Sequence, residues 1–209
     1  MIGLCLLGVV AANAQKMDTL SYSVGVLIAN NLKQQGMKSV DGAVLGKAVS
    51  EFLAGKASMT IEQANANYTK VMEAEKRESG GKALADGKAY LENNKKKAGV
   101  TTTASGLQYE VMTKGTGTVS PLATDKVTVH YHGTLTDGTV FDSSVQRGET
   151  IEFPLNGVIP GWTEGVQYMH VGDKFKFTIP YNLAYGDRGT GGIPAYATLV
   201  FEVELFKIN

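Results

Sequence analysis

The sequence predicts an α+β protein: an all-helical N-terminal half with a long connecting helix, then an antiparallel five- to six-stranded β-sheet wrapped around one short helix. All five prolines lie after residue 120, and 13 of the 17 aromatic residues lie after residue 100. Residues 1–100 hold 13 Lys/Arg against 9 Asp/Glu, whereas residues 101–209 hold 7 against 11. Apolar residues recur at helical spacing in the first half and alternate in the second. A proline-free, aromatic-poor half builds readily into helices, and an aromatic half punctuated by Gly and Pro suits strands and turns. The expected boundary falls near Gly99–Ser105, and 209 residues suffice for two small domains.

Residues 1–14 read as a signal peptide. Met1 to Ala12 is apolar, and Ala12-Asn13-Ala14 has small residues at the spacing a signal peptidase reads. A membrane span needs about 20 apolar residues, so this run is too short to be one. A positively charged start is missing, which fits a true start that lies upstream or is mis-called; the alternative reading of the run is an apolar helix start packed on the protein. The only cysteine, Cys5, follows Leu4 rather than a small residue, which argues against a lipoprotein site. A mature chain without cysteine would also fit export to an oxidising compartment.

Three helices are expected next, over residues 15–98. Leu20, Val24, Leu27, Ile28 and Leu32 form one helical face, with Asp18 or Thr19 as cap and Gly36 as stop. Val44, Leu45, Ala48, Val49, Phe52 and Leu53 form a second stripe behind Asp41. Thr60-Ile61-Glu62-Gln63 is a capping box. The helix it opens runs to Lys95-Lys96-Lys97 and Gly99, about 37 residues or about 55 Å. Gly80-Gly81 marks where a kink or break would fall, since each glycine costs up to about 1 kcal/mol relative to alanine. The two short helices cannot bury their stripes alone. A symmetric homodimer through residues 18–60 is the expected remedy; the alternatives are an intramolecular three-helix bundle or packing on the C-terminal half.

In the C-terminal half, alternation marks strands at Leu107–Val111, Val127–Tyr131, Phe175–Ile179 and Leu199–Leu205. Asp137-Gly138 makes a hairpin turn between Gly133 and Phe141. Trp162, Val166 and Met169 share one face of the single short helix.

Composition excludes several functions. Lys+Arg and Asp+Glu are both 20, so zero net charge argues against a nucleic-acid binder that works by neutralising phosphates. One cysteine rules out a cysteine-rich zinc or iron–sulfur site. His130 and His132 lie two apart on a strand, a candidate metal pair without a third ligand in view, and otherwise surface histidines facing away from Tyr131. Gly186-Asp187-Arg188-Gly189-Thr190-Gly191-Gly192 lacks the Lys-Ser/Thr of a phosphate-binding loop and reads as a loop over a pocket. No metal and no cofactor is expected.

Five ordered motifs carry a family resemblance. They are Val129-His130-Tyr131-His132-Gly133, Asp137 to Ser144, Val158-Ile159-Pro160-Gly161-Trp162, Ala184-Tyr185-Gly186 and Ala197-Thr198-Leu199-Val200-Phe201. Over about residues 104–209, within an expected domain of 99–209, this half resembles FKBP-type peptidyl-prolyl cis–trans isomerases. The helical half resembles the dimerisation domain of the macrophage-infectivity-potentiator-like kind through Leu20 to Gly25 and Leu32 to Gly36. The resemblance implies an aromatic cup of Tyr131, Phe141, Val158, Ile159, Trp162, Tyr185 and Phe201, with Trp162 as floor. It implies that the Ile159 N–H and the Tyr185 hydroxyl hold substrate carbonyls. It also implies that Asp142 sits at the rim as the buried-side carboxylate, held by Tyr131 and Arg147. Ile193 is an apolar loop tip, and Ile151 stands where single-domain members often carry an aromatic ring; Thr190 and Gly192 also depart from those members. The implied catalytic set is Tyr131, Phe141, Asp142, Trp162, Tyr185 and Phe201, and the implied substrate-binding set is Arg147, Ile151, Val158, Ile159 and Ile193. The implied partners are unfolded or proline-containing clients and a macrolide inhibitor, with no nucleic acid and no stable membrane span. The implied activity is rotation about X–Pro bonds in exported proteins, with accompanying chaperone activity. The rival readings are a holdase chaperone and a peptide-binding module.

Overall fold

The computed structural model describes residues 18–35, 37 and 39–209. The expected signal peptide, residues 1–14, lies outside the described residues. The chain divides into two compact units, one ending at Gly46 and one beginning at Lys47. Three helices come first: α1 (Thr19–Gln34), α2 (Gly42–Leu53) and α3 (Ile61–Asn94). Asp18 caps α1 by accepting from the Leu20 and Ser21 N–H groups. Asp41 accepts from the Ala43 and Val44 N–H groups at 2.9 and 3.1 Å. Thr60 and Gln63 form the reciprocal capping box on α3. No residue of α1 or α2 is buried; Leu27 is 69% and Leu53 82% exposed.

α3 is one continuous helix of 34 residues through Gly80-Gly81. The expected weak point is a packing face. Gly80, Gly87 and Asn94 are its buried residues, spaced seven apart on one side, with Ala83, Leu84, Tyr90 and Leu91 half-buried between them. That is the helical repeat of a docked stripe. Asn94 Nδ2 donates to Gln108 Oε1 at 3.0 Å and to Thr178 Oγ1 at 3.3 Å, and Gln108 Nε2 donates to the Leu91 carbonyl at 3.0 Å. The helix ends at Asn94, before the three lysines.

The sheet has seven strands: β1 (Val100–Thr102), β2 (Gln108–Thr113), β3 (Lys126–Leu135), β4 (Val140–Ser143), β5 (Ile151–Pro154), β6 (Lys174–Ile179) and β7 (Leu199–Ile208). The order is β1-β2-β6-β7-β3-β4, with β5 also paired to β3, and every pairing is antiparallel. This exceeds the expected five or six because β1 and β5, of three and four residues, are too short to display alternation. A one-turn helix, α4 (Ser144–Arg147), escaped sequence reading for the same reason.

The short helix α5 (Pro160–Val166) starts with proline, whose missing N–H costs nothing in a first turn. Its glycines lie directly against the Ile179 and Phe177 side chains of β6. A Cβ at Gly161 would fall 2.4 Å from Ile179 Cγ2, and one at Gly165 would fall 2.7 Å from the Phe177 ring. Glycine is required at both for this close approach. Trp162, Val166 and Met169 thereby reach the core with Phe177, Ile179, Leu199, Phe201, Val203 and Leu205.

Candidate active site

The aromatic residues are not spread evenly through that core. Tyr131 comes from the middle of β3, Phe141 from β4, Trp162 from the first turn of α5 and Phe201 from β7. Trp162 meets Tyr131 edge-to-face at 5.4 Å between centroids and Phe201 at 5.1 Å. Phe141 meets Phe201 edge-to-face at 5.4 Å. Edge-to-face packing matches the positive rim of one ring to the negative face of the next, so each ring fixes its neighbours. Gly133 makes room for this. It pairs with Phe201 across β7 and with Asp142 across β4. A Cβ there would lie 2.7 Å from the Phe201 ring and 2.8 Å from the Phe141 ring.

Together these rings line a cavity of about 460 Å³. Ile151 and Phe153 on β5, Val158 and Ile159 before α5, Tyr185, and Ile193 on the following loop complete its apolar wall. Trp162 is 5% exposed and lies at the bottom, whereas Tyr185 is 40% exposed. Trp162 Nε1 is buried and has no hydrogen-bond partner among the described residues. Ile159 caps α5: its carbonyl accepts from the Trp162 and Thr163 N–H groups at 2.9 and 3.1 Å. No acceptor for its own N–H is found among the described residues.

The polar side of the rim follows from Asp142-Ser143-Ser144-Val145-Gln146-Arg147-Gly148. Ser143 Oγ accepts from the Gln146 N–H at 3.2 Å and starts α4. Gly148, at φ +76°, ends it in a conformation that favours glycine. The single turn brings Arg147 back beside Asp142. The Tyr131 hydroxyl and Arg147 Nη1 both donate to the Asp142 carboxylate, and Arg147 Nη2 donates to the Tyr131 oxygen at 3.0 Å. The expectation of a buried-side carboxylate is corrected here: the Asp142 side chain is 45% exposed, at the mouth.

Burial alone would raise the Asp142 carboxyl. The hydrogen bonds from Tyr131 and Arg147 and the guanidinium charge outweigh it and leave the group below its ordinary value. Desolvation, then the bond to Asp142, pushes the Tyr131 hydroxyl up. Desolvation and the nearby Asp142 charge raise Tyr185 likewise. A carboxyl with a lowered folded value contributes its stability fully above the unfolded value of about 3.9, and loses it as pH falls through the folded value. The rim therefore keeps one charge state across neutrality. Any activity of the cavity is expected to be flat between about pH 5 and about pH 9, checked by a rate–pH profile.

Of the residues expected from sequence, Tyr131, Phe141, Asp142, Ile151, Val158, Ile159, Trp162, Tyr185, Ile193 and Phe201 all line the one cavity, and Arg147 reaches it through Asp142 and Tyr131. Phe153 was missed. Its ring stands 5.5 Å from Trp162 and fills out the wall beside Ile151. Phe153 lies two residues from Ile151 and so shares its strand face, but β5 is too short for that alternation to stand out in the sequence. Glu152, Thr190, Gly191 and Gly192 complete the lining. His130 and His132 turn away from the cavity and contact Ser144 and Ser143 at 3.0 Å. No cluster of three or more metal-ligating side chains occurs among the described residues.

Residues 117–206 match the family described as FKBP-type peptidyl-prolyl cis-trans isomerase, and residues 17–111 match the domain amino terminal to FKBP-type peptidyl-prolyl isomerase. The FKBP-type peptidyl-prolyl cis-trans isomerase FkpA of Aeromonas hydrophila is 50% identical over 200 residues, covering 91% of this chain and 74% of that protein. The FKBP-type 22 kDa peptidyl-prolyl cis-trans isomerase of Escherichia coli K12 is 45% identical over 193 residues, covering 90% of this chain and 93% of the relative. Among solved structures, FkpA from Escherichia coli superposes with a TM-score of 0.65 at 38% identity, over 91% of this chain and 93% of that one.

Proposed function

This chain belongs to the FKBP-type peptidyl-prolyl cis–trans isomerases, and we propose that the cup between β3, β4, β5, α5 and β7 is where it works. The enzyme accelerates rotation about X–Pro bonds. That bond interconverts over tens to hundreds of seconds because amide resonance sets a barrier of about 18–20 kcal/mol. No covalent bond breaks. In the transition state the amide is twisted and its carbonyl has lost charge separation. A dry apolar cup favours that form over the polar planar one, and does so more than water can. A millionfold acceleration corresponds to about 8 kcal/mol of such preference.

In this reading the proline ring rests on Trp162 between Tyr131, Phe141 and Phe201. The Ile159 N–H and the Tyr185 hydroxyl hold the carbonyls on either side. Asp142, kept ionised and fixed by Tyr131 and Arg147, polarises the rim without transferring a proton. Ile151, Val158 and Ile193 shape the wall. The observation that carries the reading is the aromatic floor under a mouth that offers an unpaired N–H. A net hydrogen bond is worth about 0.5–1.5 kcal/mol, so Tyr185→Phe is expected to lower kcat/KM on a prolyl peptide about three- to tenfold. A rate within twofold of the wild type would remove Tyr185 from this role.

For the chain as a whole, we propose a signal peptide at 1–14, a helical dimerisation region over 15–98 and the isomerase domain over 99–209. The exposed stripes of α1 and α2 support a homodimer through residues 18–60. Two linked cups raise the effective concentration of one on a client already held by the other. The clients would be unfolded or proline-containing proteins of the bacterial periplasm or cell envelope, and the same cup would take a macrolide inhibitor. No helix of the described residues is long and apolar enough to cross a membrane. A holdase activity is the second reading. It is favoured by a groove of about 400 Å³ where α2 turns into α3, lined by Val49, Phe52, Leu53, Met59, Ile61 and Ala64.

A further inference from the structure

The stripe that docks α3 touches the base of the loop that walls the cup. A Cβ at Gly80 would lie 3.3 Å from Ala195 Cβ and 3.5 Å from the Tyr196 ring. A Cβ at Gly87 would lie 2.5 Å from Thr198 Oγ1 and 3.0 Å from Thr198 Cβ. Ala195 and Thr198 are buried, at 5% and 3% exposure. Between them Tyr196 has φ +60°, and it alone among the described non-glycine residues is positive. A bulky side chain seldom adopts that conformation and keeps it only where its surroundings over-determine it.

Here the surroundings are named. The Tyr196 ring packs edge-to-face on Tyr181 at 5.4 Å, and its N–H donates to the Gly186 carbonyl at 2.9 Å. That bond closes the loop that starts directly after Tyr185. Within the loop, Thr190 and Ile193 exchange backbone hydrogen bonds at 3.0 and 2.7 Å, and Ile193 lines the cup. Thr198 leads straight into β7 and Phe201.

We propose that the C-terminal turns of α3 are a positioning element of the isomerase: Gly80 and Gly87 seat the Ala195–Thr198 segment, and through the left-handed Tyr196 they set where Tyr185 and Ile193 stand in the cup. This rests on the cup being the catalytic site. The connecting helix is then part of the enzyme's substrate-binding geometry as well as a spacer. A seat of this kind acts on substrate placement, so its disturbance raises KM and leaves kcat nearly unchanged.

The test uses the full chain with a prolyl peptide whose kcat and KM are measured separately. Gly87→Leu forces Thr198 aside. Gly80→Ala is the mild companion, since Ala195 and the Tyr196 ring need yield only slightly. Gly81→Ala is the matched control: it is the neighbouring glycine of the same helix, with nothing within 4 Å of its Cβ position. Gly80→Ala and Gly87→Leu are expected to raise KM about three- to tenfold with kcat within about twofold, and Gly81→Ala to change neither. If Gly87→Leu does not fold, Gly80→Ala decides alone. A KM unchanged in Gly80→Ala, or a fall in kcat that tracks the unfolded fraction at constant KM, would overturn the proposal. A wild-type chain inactive on the peptide would instead refute the catalytic reading of the cup.

Discussion

Trp162→Ala is expected to abolish most of the isomerase activity and to cost the most stability of any single change in the cup. The indole is 5% exposed and edge-to-face with both Tyr131 and Phe201. Truncating a buried tryptophan to alanine costs about 3–5 kcal/mol, and a domain has only about 5–15 kcal/mol in all. The cavity left behind also lets water reach the amide, which removes the preference for its twisted form. Trp162→Leu separates the two effects. It keeps an apolar floor, and no hydrogen bond is lost because Nε1 has no partner among the described residues. Thermal unfolding should show Trp162→Leu folded, while its kcat/KM falls about 10²-fold, equivalent to about 2.7 kcal/mol. Equal activity in Trp162→Leu and wild type would mean that the floor's shape is irrelevant.

Gly133→Val is expected to act through the same rings from the opposite side. Gly133 is buried on β3, and any Cβ meets the Phe201 and Phe141 rings at 2.7–2.8 Å, well inside contact. Both rings belong to the sheet that frames the cup, and neither can move without losing an edge-to-face partner. Overpacking of this kind costs about 1–3 kcal/mol. The Val side chain should push Phe201 toward Trp162, narrow the cup and lower activity at least about tenfold. Activity and unfolding temperature measured on one sample distinguish a closed cup from an unfolded domain. Gly138→Ala is not an equivalent control, because Gly138 holds φ +89° in the hairpin turn.

The aromatic half was legible in sequence because its motifs occur in order and Tyr131, Trp162 and Phe201 sit on elements with clear periodicity. Composition alone would have assigned Tyr131, Trp162 and Phe201 to the core, and physically they are core: the cup is the part of the core left open at one end. Phe153 shares a strand face with Ile151, but four residues of β5 are too few for that face to show in the sequence. Gly80-Gly81, where the sequence left continuity open, is more instructive. Helix propensity treats both glycines as weak points, yet Gly80 permits a close approach to Ala195 that no larger residue allows without a shift, and tertiary packing outweighs propensity there. The spacing of Gly80, Ala83, Leu84, Gly87, Leu91 and Asn94 carried that signal. Its fully buried members are two glycines and an asparagine, which register faintly on a hydrophobicity pattern, so the stripe went unread. The short β1, β5 and α4 offered too few residues for any period to show.

An apolar cup that speeds X–Pro rotation with no nucleophile and no proton transfer should work at a rate indifferent to pH and sensitive to its floor. The decisive experiment is NMR exchange between the cis and trans forms of a short X–Pro peptide with catalytic amounts of the full chain, wild type and Trp162→Leu, across pH. Rapid exchange is expected with wild type, unchanged between about pH 5 and about pH 9, and strongly slowed exchange with Trp162→Leu. A wild-type chain that binds the peptide, as read by Trp162 fluorescence, yet leaves its exchange at the uncatalysed rate would contradict this mechanism.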